Sequence, residues 1–230
     1  MPVFLILISL IGVGFGLRSW KARALKRDLL ARGLTDAQRR IVADQVPLTQ
    51  QLPSDVSTKL EGKMNLFLHQ IEIIGCGGLE VTEEMRLSIA AQACLLIANT
   101  DAWYKSLRTI LLYPSAFKSR QSSMDGFVVQ ERDEIRLGES WTHGPVVLSW
   151  PHSQQGAINE RDGQNLVLHE FAHQLDSLSG ASNAVPVLSK GQSFAEWERV
   201  VLAAFERHQQ NTEKGRKTVI GAIGVDHRFS

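Results

Sequence analysis

Leu166 to Asp176 reads LVLHEFAHQLD, with two histidines four residues apart and a glutamate directly after the first. On a helix, His169 and His173 at i and i+4 share one face, close enough to hold one tetrahedral cation. Glu170 is turned about 100° from His169. A carboxylate there does not bind the metal but can take the proton of a metal-activated water as that water attacks a carbonyl. That is the mechanical content of the H-E-x-x-H pattern. The pattern is short, and a core helix can carry it by coincidence. Leu166, Val167, Leu168, Phe171, Ala172 and Leu175 mark the helix as largely buried. Burying two histidines and a glutamate together is costly unless something pairs with them. On the residues alone, a zinc site and a core-helix coincidence both stand.

Other elements must hold that helix in place. Its start falls near Asp162 or Asn165, after a polar loop that follows the strand Pro145 to Trp150. RTILLY, Arg108 to Tyr113, is β-branched and aromatic and ends at Pro114, so it reads as a strand; Phe127-Val128-Val129 reads as another. Thr82 caps a helix, EEMRLSIAAQACLLIAN, with Glu83 and Glu84 at its positive end. That helix is apolar nearly all round after Leu87 and is expected in the core. Thr35 caps DAQRRIV. After the turn Leu52 to Asp55, the apolar residues Val56, Leu60, Met64, Phe67, Leu68 and Ile71 recur at helical spacing. His69 on this helix reads as surface chemistry. Gly75-Cys76-Gly77-Gly78 breaks the helix, and Leu79 to Thr82, LEVT, reads as a short strand. Phe194 to about His208 is amphipathic, with Phe194, Trp197, Val200, Val201, Ala204 and Phe205 expected to face inward. Long helices with a few short strands give an α+β fold.

At 230 residues, 43% hydrophobic and 21% charged, the chain can bury a core, and its net charge of +1 shows no field directed at nucleic acid. Cys76 and Cys94 form no disulfide framework or thiolate zinc knuckle and read as reduced. The N-terminus stands apart. Pro2 to Leu17 carries no charge, and Arg18, Lys21, Arg23, Lys26 and Arg27 follow. The apolar run lies at the lower edge of the roughly 17–25 residues that span a bilayer. A signal peptide carries its cations before the apolar run and a small-residue cleavage site after it; here the order is reversed. The expectation is a membrane anchor whose basic flank keeps the body facing the cytoplasm, with a soluble cytoplasmic chain as the runner-up. Residues 1–34 form this anchor and a basic juxtamembrane helix, and residues 35–230 the main domain.

Four blocks carry a resemblance: GCGGLEVTEEMRLSIAAQACLLI (Gly75 to Ile97), RTILLYPSAF (Arg108 to Phe117), RLGESWTHGPVVLSW (Arg136 to Trp150) and NLVLHEFAHQLD (Asn165 to Asp176). In that order they resemble the signature segments of the Mlc titration factor A family of zinc-dependent peptidases, over roughly Pro47 to Ile220. The resemblance implies a zincin-like α+β domain with a buried H-E-x-x-H helix, one Zn2+, and hydrolysis of short peptides. It also implies His169 and His173 as ligands and Glu170 as general base. In the enterobacterial protein that names the family it implies contact with a glucose-responsive transcriptional repressor.

The family takes its third ligand from a glutamate in a segment resembling YGAxxPAEFFA. This chain follows the family as far as GRKTVI and then reads GAIGVDHRFS, with Ile223 where the tyrosine is expected and the glutamate position at about Ser230 or beyond. It therefore resembles a member cut short, expected to bind zinc weakly and cleave peptides poorly. Substitutes for the third ligand are Asp176, one turn past His173 on the same face, Glu196, and the Asp226–His227 tail. Asp176 more naturally supports a ligand than binds the metal itself. The function is thus a zinc metallopeptidase, or alternatively an impaired homologue acting as an interaction protein or a non-functional fragment.

Overall fold

The computed structural model describes residues 2–115, 117–125, 128–136, 138–140, 144–159, 162–179 and 191–216; within them, residues 2–11, 13, 117–125, 128–136, 138–140 and 179 are described by their backbone alone. The chain opens with α1 (Pro2–Ala31), α2 (Asp36–Gln45), a 3-10 turn (Pro47–Gln51) and α3 (Ser54–Gln70). β1 (Glu72–Gly75), α4 (Glu83–Leu95), β2 (Thr109–Tyr113), β3 (Phe117–Asp125), β4 (Val128–Arg136), β5 (Gly138–Ser140) and β6 (Val146–Ser149) follow. Three helices complete it: α5 (Trp150–Ile158), α6 (Leu166–Asp176) and α7 (Phe194–Glu213). The α+β class holds.

The sheet order is β1-β2-β6-β5. β1 and β6 flank β2 in parallel, and β5 returns antiparallel to β6. All of β6, VVLS, is buried, as a strand covered on both faces must be. β3 and β4 form a separate antiparallel hairpin, Phe117 opposite Arg136 and Asp125 opposite Val128. α4 lies at the centre of the helices, against α2, α3, α5 and α6, and its residues from Leu87 to Cys94 are all buried. Cys94 is buried and reduced, and burial pushes its thiol far up from its ordinary value. Three rings lock the core: Tyr104 meets Phe171 edge-on at 4.9 Å and Phe67 at 6.3 Å. The Tyr104 hydroxyl donates to the Ala93 carbonyl at 2.7 Å, so its one polar group is satisfied where it is buried.

The caps at Thr35 and Thr82 form as expected, and Thr35 makes a full capping box with Gln38; of the two starts expected for the histidine helix, the structure takes Asn165, which caps it. Four expectations are corrected. α3 stops at Gln70, and the strand is Glu72–Gly75, where burial alternates with period two. Leu79 to Thr82 is not a strand. Gly77 and Gly78 adopt φ of +61° and +81°, and Leu79 N–H bonds back to the Cys76 carbonyl, so the chain doubles over itself there. The turn is tight enough that a Cβ on Gly75 would meet the Leu79 carbonyl oxygen at 1.9 Å. Second, most of the polar stretch after Ser149 is helix α5, with Pro151 in its first turn, where its fixed φ is well suited. Third, α7 buries none of its residues among the described ones, and Phe194, Val200, Val201 and Leu202 are exposed. The fourth concerns α6 and is set out with the site below. The strand expected at Phe127 begins at Val128, and Phe127 lies outside the described residues.

α1 is one continuous helix of 30 residues, so the apolar run and the basic flank share one axis. Its C-terminal part packs on α3, where Gly62 lets the Leu30 carbonyl come so close that a Cβ would stand 2.0 Å from it. Further up, Phe15 (74%), Leu17 (55%) and Trp20 (63%) are exposed. Among the described residues no helix is long and apolar enough to cross a membrane.

Candidate metal centre

α6 is held from its first residue. The Asn165 side-chain oxygen accepts from Leu168 N–H at 2.8 Å. Its Nδ2 donates to Gln92 Oε1 on α4 and to the Gly156 carbonyl on α5, each at 2.9 Å. Gln92 in turn donates to Ser88 and to the Ser153 carbonyl, so a buried polar thread joins α4, α5 and α6. Gly156 makes room for this junction, since a Cβ there would lie 2.8 Å from Asn165 Cα. Farther along α6, Val167 and Phe171 face the core and are wholly buried.

The helix is therefore buried on one face, not all round. Val167, Glu170, Phe171 and Gln174 are buried, while His169 and His173 are exposed. The expectation of a largely buried H-E-x-x-H helix gives way to a split one, because 3.6 residues per turn puts the histidines on the flank opposite Phe171. The two Nε2 atoms stand 3.2 Å apart, with the rings at 89° and their centroids 4.8 Å apart. Partial desolvation of the ring against the helix, followed by the neighbouring His173, lowers the His169 pKa and favours the neutral imidazole that a metal ligand must be. Glu170, between them in sequence, is buried at 5% exposure and not in bulk solvent.

Two nitrogens bound to one zinc at about 2.0–2.1 Å in tetrahedral geometry stand roughly 3.3 Å apart. The histidine pair fits that spacing, and imidazole is a natural zinc donor. Among the described residues no group of three His, Cys, Asp or Glu side chains gathers around a common point. Asp176 is half-buried at the last position of α6, and Glu196 is exposed in the first turn of α7. Ile223, Asp226, His227 and Ser230 lie outside the described residues. The support under the helix was missed in the sequence. Gln92 was its one signal: a lone amide in the apolar run SIAAQACLLI needs a partner, and the partner is the cap of the histidine helix.

An α+β domain that presents a histidine pair on a capped, half-buried helix has the making of a metal-dependent hydrolase. The chain belongs to the glucose-regulated metallo-peptidase M90 family, whose model matches residues 17–228. It is 38% identical to an uncharacterized protein of Synechocystis sp. over 226 residues, 97% of this chain and 82% of that protein. It is 30% identical to Mlc titration factor A of Klebsiella pneumoniae over 171 residues, 73% of this chain. It is 29% identical to Mlc titration factor A of Yersinia pestis over 197 residues, 84% of this chain and 69% of that one. The chain spans 63% of the length of the Klebsiella relative.

Proposed function

We propose that this chain is a zinc-dependent peptidase in which His169 and His173 hold the ion and Glu170 is the general base. The observation that carries the reading is the 3.2 Å approach of the two Nε2 atoms, which matches the spacing of two donors on one zinc. When bound, zinc lowers the pKa of water to about 7 and polarises the substrate carbonyl. Glu170 receives a proton from the attacking water on a carboxylate oxygen and returns it to the leaving amine. His169 and His173 are exposed, which suits access by a peptide substrate. A third donor, from Asp176, Glu196, the Asp226–His227 tail or a glutamate segment like that of the family, completes the site in this reading.

The test measures zinc stoichiometry and hydrolysis of a chromogenic peptide in the whole chain. Glu170→Gln is expected to keep the metal and lose roughly 10²–10⁴ in rate, the usual worth of a general base. His169→Ala is expected to lose both. Unchanged hydrolysis in Glu170→Gln would remove the glutamate from the mechanism.

A second reading is favoured by α7. Its apolar residues Phe194 and Val201 are exposed on one side of the helix, with Val200 and Leu202 exposed on either flank, apolar surface suited to a protein partner. The relatives' name, Mlc titration factor A, makes a transcriptional repressor the kind of partner to test. In that reading the chain acts by binding, with or without peptidase activity. Attachment to a membrane through Pro2 to Leu17, with the body in the cytoplasm, is the proposal for location. Its support is the uncharged run, the basic flank and the exposed Phe15, Leu17 and Trp20. Vesicle flotation of the whole chain, compared with one lacking residues 1–17, tests it.

A further inference from the structure

A cleft of about 440 Å³ opens between α1, the end of α3 and the segment leading into β2. Its volume falls within the roughly 300–1,000 Å³ of small-molecule sites. Lys26, Lys105 and Arg108 bring three cations to its walls, and no carboxylate lines it. Among the described residues none of the three is in an ion pair. Arg108 is braced in place, its Nη1 donating to the carbonyls of Lys105 at 2.9 Å and Leu107 at 2.8 Å. Ala22, Leu25 and Leu29 from α1, Leu66 from α3 and Trp103 from the segment before β2 form its apolar side, and His69 and Gln70 at the end of α3 complete the wall. The Trp103 indole is fixed by donating to Gln70 Oε1 at 2.9 Å.

We propose that this cleft binds a phosphate-bearing amphiphile, an anionic phospholipid. Lys26, Lys105 and Arg108 take the phosphate, and Leu25, Leu29 and Trp103 take the glycerol and the start of the acyl chains. A phosphate diester suits this wall because charge-assisted donors can surround it while its carbon chain lies on the apolar side. The carbonyl end of α3 also reaches the cleft, and its partial negative charge is worth about half a unit against three full positive ones. Position along α1 points the same way. Ala22, the first α1 residue in the cleft, is five residues past Leu17, or about 7.5 Å along the axis. That is about the thickness of one headgroup layer beyond the hydrocarbon. The proposal is independent of the peptidase reading. Only its lipid source leans on the anchor reading, and a water-soluble lipid lets the two fail separately.

The experiment titrates the whole chain with dihexanoyl phosphatidylglycerol below its micelle concentration, and separately with dihexanoyl phosphatidylcholine and inorganic phosphate. Lys26→Gln and Lys105→Gln remove cleft cations; Lys21→Gln and Arg23→Gln remove the same charge from α1 outside the cleft. The expected result is one equivalent of phosphatidylglycerol bound, weakened about tenfold by each cleft variant (about 1.4 kcal/mol) and little by the outer pair. Equal weakening by both pairs would reduce the effect to diffuse charge and overturn the site. Binding of inorganic phosphate as tight as that of the lipid overturns the amphiphile, and equal binding of phosphatidylcholine overturns selection for net anionic charge. No binding of any probe overturns the proposal outright. Vesicle flotation of the same variants reports the anchor separately.

Discussion

Asn165 does two jobs with one side chain, and two substitutions separate them. Its oxygen caps α6 through Leu168 N–H, while its nitrogen feeds Gln92 Oε1 and the Gly156 carbonyl. Asn165→Ala loses the cap, worth about 1 kcal/mol, and leaves the acceptors of two part-buried hydrogen bonds, on Gln92 and Gly156, short of a donor, together at about 1–3 kcal/mol. Asn165→Asp keeps the cap and adds favourable charge at the helix N-terminus. It nevertheless turns a carboxylate oxygen toward two other oxygens. The expectation is that Asn165→Asp is at least as destabilising as Asn165→Ala in denaturant unfolding, by about 2–4 kcal/mol in either case. Were Asp to match wild type, the thread to Gln92 would carry no stability and the cap alone would explain the residue.

At the scale of elements, the meeting of α1 and α3 rests on one glycine. In isolation Gly62→Ala should favour α3 by about 1 kcal/mol, since alanine is the better helix former. Here the new methyl would stand 2.0 Å from the Leu30 carbonyl oxygen, so α1 must move away. The expected result is faster proteolysis and hydrogen exchange across the C-terminal half of α1, with the α4–α6 core unchanged; a gain in overall stability would show that the contact is loose. No sequence signal marked Gly62, because a glycine inside a helix pattern does not announce what approaches it. Other features were legible because they are local. The side chains at Thr35 and Thr82 reach their own helix, so each cap was readable within three residues, and the start of α6 was readable to within a few residues of Asn165. The i and i+4 histidines were readable for the same reason. α5 was missed because SWPHSQQGAI is polar enough for a loop, and its helix depends on Pro151 and on packing with α6. The inward face assigned to α7 failed because amphipathicity shows which residues want a partner, not whether a described one covers them.

For the molecule as a whole, the carboxylate of Glu61 ties the first three helices together. It sits on α3, accepts from Leu34 N–H at 2.9 Å in the connection between α1 and α2, and accepts from Arg39 of α2 at 2.8 and 3.0 Å. The Arg39 hydrogen bonds, opposed by burial and aided by the Leu34 N–H, hold the Glu61 carboxyl below its ordinary value of 4.5. A folded pKa below the unfolded one means that the unfolded chain binds the extra proton first. The stabilisation is therefore fully present above 4.5 and is lost as the pH falls through the folded value. Asp36, which also meets Arg39, is exposed, and a surface pair of that kind contributes little. Glu61→Gln keeps an acceptor for Leu34 and Arg39 and removes the charge, so it should be less stable than wild type at neutral pH. Because the lost contribution is one that acid also removes from wild type, the gap between the two proteins should close as the pH falls well below 4.5. Urea unfolding of both proteins at neutral and at acid pH measures that gap. A gap that stays constant would mean that Glu61 acts through shape and hydrogen-bond geometry, and that the junction of α1, α2 and α3 does not depend on its charge.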